Sequence, residues 1–284
     1  MRNPLKAIRK WRRKGALRAY YQFWRKTRKR VLIGPEDERR LTKITAIIKT
    51  FERPDCLDRC IRSLRKFYPM IPVIVADDSV APGRRDDVRY IRLAPDSGSS
   101  AGRNAALMNV ATPYFLNLDD DICLDEGSDL LLLLKVLEDG VADIAGGDRT
   151  TFGIRSPWHG TILREGTVLR VLPGCRSDHG SYQRCDIVHN FFVARTEMVR
   201  KAGGWDAELK VNAHTEFFLR MKQYGARVVF CPAVTAEHRH VETPHYAKYR
   251  RRTDFRRIFM RKYGIERWHN MDKESFVLSD LADN

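Results

Sequence analysis

Three consecutive carboxylates, Asp119, Asp120 and Asp121, close the apolar run Tyr114 to Leu118 in the stretch PYFLNLDDDI. A second apolar run, VIVA, stops on Asp77 and Asp78. Like charges packed this closely repel one another unless something positive sits among them. In open parallel sheets, ligands bind beyond the carboxyl ends of the strands, and two predicted strands deliver their acids there. Strand alternation puts Asp119 and Asp121 on one side, a spacing that suits a hard divalent cation, Mg2+ or Mn2+, with positions left for phosphate oxygens. The natural companion of such an ion is a nucleoside diphosphate. One acid at a strand end ordinarily solvates a loop or caps a helix; three in a row after a buried strand fit that role poorly.

The elements that must position these acids alternate from residue 42 onward. TKITAIIK reads as a strand, and DCLDRCIRSLRKFY, apolar at 57, 60, 61, 64 and 67, as a helix. VIVADDS and VRYIRL read as strands, SAGRNAALMNV as a helix entered through a small-residue loop, PYFLNL as a strand, SDLLLLLKVLED as a helix and ADIAGG as a strand. This alternation predicts an α/β fold with a mainly parallel, Rossmann-like sheet flanked by helices. After Gly147 come short β-like pieces; then DIVHNFFVAR (strand), EMVRKAGGWD (helix and turn), TEFFLRMKQYG (helix), ARVVFCP (a final strand) and HYAKYRRRTDFRRIFMRKYG (one basic C-terminal helix). The predicted organisation is a basic helical arm over residues 1–41 and a single domain over 42–284.

Neither a GxxxxGKS loop nor GxGxxG occurs, which disfavours a P-loop kinase or a dinucleotide enzyme. An Asp-rich phosphohydrolase shares the pattern of Mg2+ at strand ends. The six cysteines form no C-x-x-C pair and have no zinc spacing relative to histidines, so free thiols in a reducing compartment are expected.

Charge is unevenly distributed. The net charge is +16, and residues 1–30 hold 13 Lys and Arg with no Asp or Glu. Interleaved Trp11, Tyr20, Tyr21, Phe23 and Trp24 make this arm a candidate interfacial helix on an anionic membrane. A solvated or partner-packed helix ranks second; nucleic-acid binding through phosphates ranks third and is not expected. No run approaches the roughly 18 apolar residues that span a bilayer, so the expected location is cytoplasmic, peripheral to the inner face of the membrane.

The ordered segments ITAIIKTFERPDCLDRCIRSLRKFYP, VIVADDS, SAGRNAAL, PYFLNLDDDI, GGWDAEL and HTEFFLRMKQYG resemble inverting nucleotide-sugar glycosyltransferases of the GT-A fold. The likeness is greatest to the β-1,4-N-acetylgalactosaminyltransferases that build gangliosides, and covers residues 42 to 240. It implies a UDP-sugar donor, a glycan or lipid-linked acceptor and a role in cell-surface polysaccharide or glycolipid assembly. Unlike the animal members, the chain shows no transmembrane anchor, which points to a bacterial-type enzyme. The resemblance has Thr50, Phe51 and Arg53 framing the nucleotide, Asp77 or Asp78 meeting the uracil or ribose, and Arg103 and Asn104 near the ribose-diphosphate. Asp119, Asp121 and His238 would hold the metal, with His240 a rival to His238 and Asp120 turned to ribose or supporting the ligands. Glu216 would be the base that activates the acceptor hydroxyl, although an i, i+4 pair with Arg220 is an alternative use of it. His214, where an acid often sits, would orient or assist. His189 and Asn190 would line the donor-sugar pocket, and Trp205 and Asp206 the acceptor side. The alternative is a non-catalytic membrane-binding scaffold on the same fold.

Overall fold

A computed structural model of the chain describes residues 33–281 apart from 243, 251, 253, 272 and 273. The basic stretch 1–30 lies outside the described residues.

Helix α1 (Pro35–Leu41) leads into β1 (Ile44–Thr50), α2 (Pro54–Phe67), β2 (Val73–Asp77), β3 (Arg89–Arg92), α3 (Ser99–Met108), β4 (Tyr114–Asp119), β5 (Ile122–Cys123), α4 (Leu130–Glu138) and β6 (Ile144–Thr151). Then come β7 (Ile154–Arg155), β8 (Gly160–Glu165), β9 (Val168–Pro173), β10 (Ser177–Asp178), β11 (Gln183–Cys185), β12 (Phe191–Arg195), α5 (Thr196–Lys201), α6 (His214–Gln223) and β13 (Val228–His238). The chain continues through α7 (Pro244–Arg250), α8 (Asp254–Lys262), β14 (Arg267–Asn270) and β15 (Glu274–Val277).

The main sheet runs β10-β11-β13-β6-β12-β4-β1-β2-β3, with β5 and β7 attached to β13 and β6. β3, β2, β1 and β4 are mutually parallel, as are β6 and β13; β12 is antiparallel to both β4 and β6 and joins the two halves. Both faces are covered, which is why the central strands read as near-continuous apolar runs. Alternation still decides which side each residue takes. In β1, Ala46 and Ile48 join one core with α2 residues Leu57, Cys60, Ile61 and Leu64, while Ile47 joins the other with Phe115, Trp205 and Phe217.

Two expectations are corrected here. The basic segment after residue 244 is not one helix: α7 and α8 are separate, and two strands follow. Those strands complete a second sheet, β15-β14-β9-β8, so β13 is not the last strand. The division at residue 41 also cuts through packed structure. Leu41 is fully buried, and Arg40 donates to Glu138 of α4 at 2.8 Å, so α1 docks on the body.

Candidate active site

A cavity of about 470 Å3 opens at the carboxyl ends of β1, β2 and β4 and is closed on other sides by α6, α7, α8 and the second sheet. The volume lies within the range of small-molecule sites. Among its lining residues are Lys49, Phe51, Arg53, Asp78, Arg103, Asp119, Asp120, Asp121, Asn190, His214, His238 and His240.

The cations facing the acid cluster come first from the chain itself. Arg53 donates to both oxygens of Asp120, one of them at 3.3 Å, and to Asp121 at 3.0 Å. Arg103 donates to Asp119 at 2.5 Å, and Lys49 pairs with Asp78 at 2.6 Å. Arg53 is itself held against the ring of Tyr246, 4.2 Å from its centroid. Thr50 also gives its hydroxyl to Asp120, at 2.8 Å. Thr50, Arg53 and Asp120 thus form a buried support. Burial pushes the Asp120 carboxyl up to about 6, against the pull of Arg53.

β5 explains the rest of the acid site. It pairs antiparallel with the end of β13, matching Ile122 to His238, and the Arg239 N–H donates to the Asp121 carbonyl at 2.8 Å. His238 and His240, two residues apart, therefore meet Asp121 at 3.4 and 3.3 Å. One ligand atom from each of the three lies within 4.8 Å of the others, the arrangement a single ion could use. Burial would raise the Asp121 carboxyl, but the His238 and His240 hydrogen bonds and the Arg53 charge hold it well below the usual carboxylate range. His240, expected only as a rival to His238, joins it. Asp119 stands apart from this group, between Arg103 and Asn190.

β12, antiparallel to β4, carries Asn190 to Asp119: its amide nitrogen reaches the carboxylate at 3.3 Å. With the amide nitrogen so engaged, its oxygen faces His214 Nδ1 at 2.9 Å, which makes Nδ1 the protonated nitrogen and leaves Nε2 with a lone pair. Nε2 is shielded from solvent and has no partner among the described residues, although His214 lines the cavity. Burial pushes His214 down to about 3; the Arg103 and Arg149 charges add to this and Asp119 opposes it. Trp158 packs on the imidazole at 4.7 Å and on His189 at 5.7 Å.

Several expected site residues are turned elsewhere. Glu216, the expected base, is fully buried and does not reach the cavity. It accepts from Arg220 at 2.8 and 3.2 Å and from Tyr263 at 2.7 Å, and Arg220 continues to the carbonyls of Ala202 and Gly204. Both oxygens are thus spent on fixing a turn to a helix. Asp77 accepts from Ser79, Gly83 and Tyr90, which leaves Asp78 as the acid of that pair in the cavity. Asn104 exchanges hydrogen bonds with the backbone of Trp205, at 2.6 and 2.7 Å, and is structural. His189 contacts the Ser156 carbonyl at 2.8 Å and backs Trp158. Trp205 is a core residue stacked on Phe217 at 4.5 Å, and Asp206 pairs with Lys262. Lining residues not singled out in the sequence include Lys49, Trp158, Lys210, Tyr246, Arg256, Trp268 and Asn270. Lys49 had a signal: a lysine inside a wholly apolar strand needs a partner, and Asp78 of the neighbouring strand supplies it.

A parallel sheet with one antiparallel insertion, and a cation-rich, acid-lined cavity at its carboxyl edge, define a GT-A glycosyltransferase architecture. The sequence profile of glycosyl transferase family 2 matches residues 45–200, and the chain belongs to that family. It is 36% identical over 227 residues to beta-1,4 N-acetylgalactosaminyltransferase 2 of Mus musculus, covering 75% of this chain and 42% of that protein. It is also 36% identical over 208 residues to beta-1,4 N-acetylgalactosaminyltransferase 1 of Rattus norvegicus, covering 69% and 38%. The chain thus spans about two fifths of the length of these relatives. Among solved structures, GalNAc-T7 with UDP, GalNAc and Mn2+ superposes with a TM-score of 0.53 at 15% identity, over 69% of this chain and 42% of that one. S. aureus TarS gives 0.54 at 14% identity, over 76% and 38%. At these identities the structural matches speak for the fold.

Proposed function

We propose that the protein is a metal-dependent, inverting glycosyltransferase that moves a hexose or N-acetylhexosamine from a UDP-sugar to a glycan or glycolipid acceptor. The relatives' N-acetylgalactosaminyl specificity makes UDP-N-acetylgalactosamine the first donor to try. The observation that carries the reading is one cavity that holds a close Asp121, His238 and His240 cluster, a phosphate-competent arginine and an oriented neutral imidazole.

Asp121, His238 and His240 would hold the metal. A mixed carboxylate and imidazole set favours Mn2+ over Mg2+, which prefers oxygen ligands. When bound, such an ion supplies Lewis-acid stabilisation of a departing diphosphate. Arg103 is positioned to share that charge: it lines the cavity, is nearly buried, and its Nε has no partner among the described residues. Asp78 and Phe51 would flank the nucleoside. His214 would take the proton of the acceptor hydroxyl on Nε2 as that oxygen attacks the anomeric carbon from the face opposite the leaving UDP. Asn190 fixes its tautomer through Nδ1. In this reading Glu216 gives up the role of base and becomes structural.

The arm over residues 1–30 is proposed to hold the enzyme at the inner face of a membrane, where a lipid-linked acceptor for cell-surface polysaccharide or glycolipid would be met. A non-catalytic scaffold is the second reading, and Arg53 occupying Asp120 and Asp121 is the observation in its favour.

Single-turnover assays of His214→Ala and Glu216→Gln with UDP-N-acetylgalactosamine and Mn2+ test the assignment. His214→Ala is expected to lower turnover by about 100-fold or more with UDP affinity kept, and Glu216→Gln to retain turnover in the folded fraction. An active His214→Ala enzyme would overturn the choice of base.

A further inference from the structure

We infer that β14 carries a carbohydrate subsite on the acceptor side of the cavity, built on Trp268 and Asn270. The inference rests on the transferase reading for its orientation, though not for its chemistry.

Trp268 and Asn270 are two residues apart on one strand and so share a face. Both line the cavity that contains His214. Trp268 is 4% exposed, clamped by Phe259 at 5.3 Å and Phe276 at 5.0 Å, and its indole Nε1–H is buried with no acceptor among the described residues. The Asn270 side-chain oxygen is likewise buried with no donor. Buried polar atoms in folded proteins are nearly always paired. Two that are orphaned together, one a donor and one an acceptor, on the same face of a strand and in the wall of a cavity, mark a place where a ligand completes the hydrogen bonds. A hydroxyl group does both jobs: it accepts from Trp268 Nε1–H and donates to the Asn270 oxygen. Register pairs Asn270 with Glu274 of β15, which also lines the cavity and adds a carboxylate for a neighbouring hydroxyl. Trp158, across the same space, offers the aromatic surface that a pyranose ring packs on.

The position assigns the subsite to the acceptor. The acids and Arg103 lie at the carboxyl edge of the main sheet, whereas β14 belongs to the second sheet. It also lies beyond residue 200, where the family profile stops. A wall outside the shared segment is where acceptor choice can differ while donor chemistry stays the same.

Saturation-transfer NMR on the full chain, with UDP and Mn2+ present, tests this with methyl β-D-galactopyranoside, methyl β-D-glucopyranoside and methyl N-acetyl-β-D-galactosaminide as probes. At least one should bind, and Asn270→Ala should weaken it about tenfold, the loss of one hydrogen bond to a buried group. Trp268→Phe, which keeps the aromatic packing, should do the same. Both variants should keep the thermal shift given by UDP and Mn2+, which shows that they are folded and that the donor side is intact. Equal binding to wild type and variants, or no binding of any glycoside, would overturn the subsite. Loss of glycoside binding in Asn270→Ala without any UDP shift in wild type would leave the subsite standing and bring down the transferase reading instead.

Discussion

Asp119, Asn190 and His214 form a chain of contacts in which each member fixes the next: carboxylate to amide nitrogen, amide oxygen to imidazole Nδ1. The outcome is a neutral imidazole with a free Nε2. The histidine also has a cost that can be measured. Its folded pKa is depressed to about 3, below the unfolded value of 6.5, so between these values the unfolded chain binds more protons. The stability His214 permits is complete above pH 6.5 and is lost as pH falls below it. At pH 5 the loss approaches about 2 kcal/mol. His214→Gln should therefore show a smaller drop in denaturation midpoint between pH 7.5 and 5 than wild type, and an identical drop would contradict the burial of this ring. On the acid side, Asp121→Asn removes a charge with little volume. We expect loss of Mn2+-dependent stabilisation by UDP without unfolding, measured by thermal shift. The acid triplet was legible in sequence because like charges demand a counter-charge. What sequence could not show is that Arg53 and Arg103 supply much of it, since that depends on how the loop after β1 and helix α3 fold back over the edge.

At the scale of elements, the alternating strands and helices through β6 could be read directly, because each apolar run carries its period. The C-terminal sheet could not. β14 and β15 are four residues each, and Arg267, His269 and Glu274 interrupt any alternation. The base was misassigned for an element-level reason too: Glu216 begins a helix where an acid is expected, yet its rotation about α6 turns it to Arg220 and Tyr263, while His214, two residues earlier, faces the cavity. Because Glu216 is fully buried, Glu216→Ala leaves Arg220 without its partner and should cost about 3–5 kcal/mol. Urea denaturation measures this, and a cost below about 1 kcal/mol would show the pair to be dispensable. Gly98 makes a second element-level prediction. Its φ is +96°, and a Cβ there would lie 2.6 Å from the Lys210 backbone. Gly98→Ala should displace the loop into α3, weakening UDP binding measured by calorimetry more than overall stability.

For the whole molecule, charge is segregated from chemistry: 13 basic residues precede Val31, and every residue of the cavity lies beyond them. Each basic residue near an anionic surface contributes about 1 kcal/mol at most. Deleting residues 1–30 should abolish flotation with anionic vesicles at low salt while transfer to a soluble acceptor persists; equal flotation of both forms would show that the arm is not the anchor. The body itself is a sheet with a core on each face, and its functional edge is where strand ends, α6 and the second sheet converge. That convergence, which no single segment encodes, is the account's central claim: one cavity joins a metal cluster, a diphosphate-binding arginine and a base. The most direct measurement is UDP release from a panel of UDP-sugars, with Mn2+ and with EDTA, in wild type and in His238→Ala and His240→Ala. The account predicts release with at least one donor in Mn2+, none in EDTA, and loss in both variants. Undiminished release in EDTA, or full activity with both histidines removed, would contradict it.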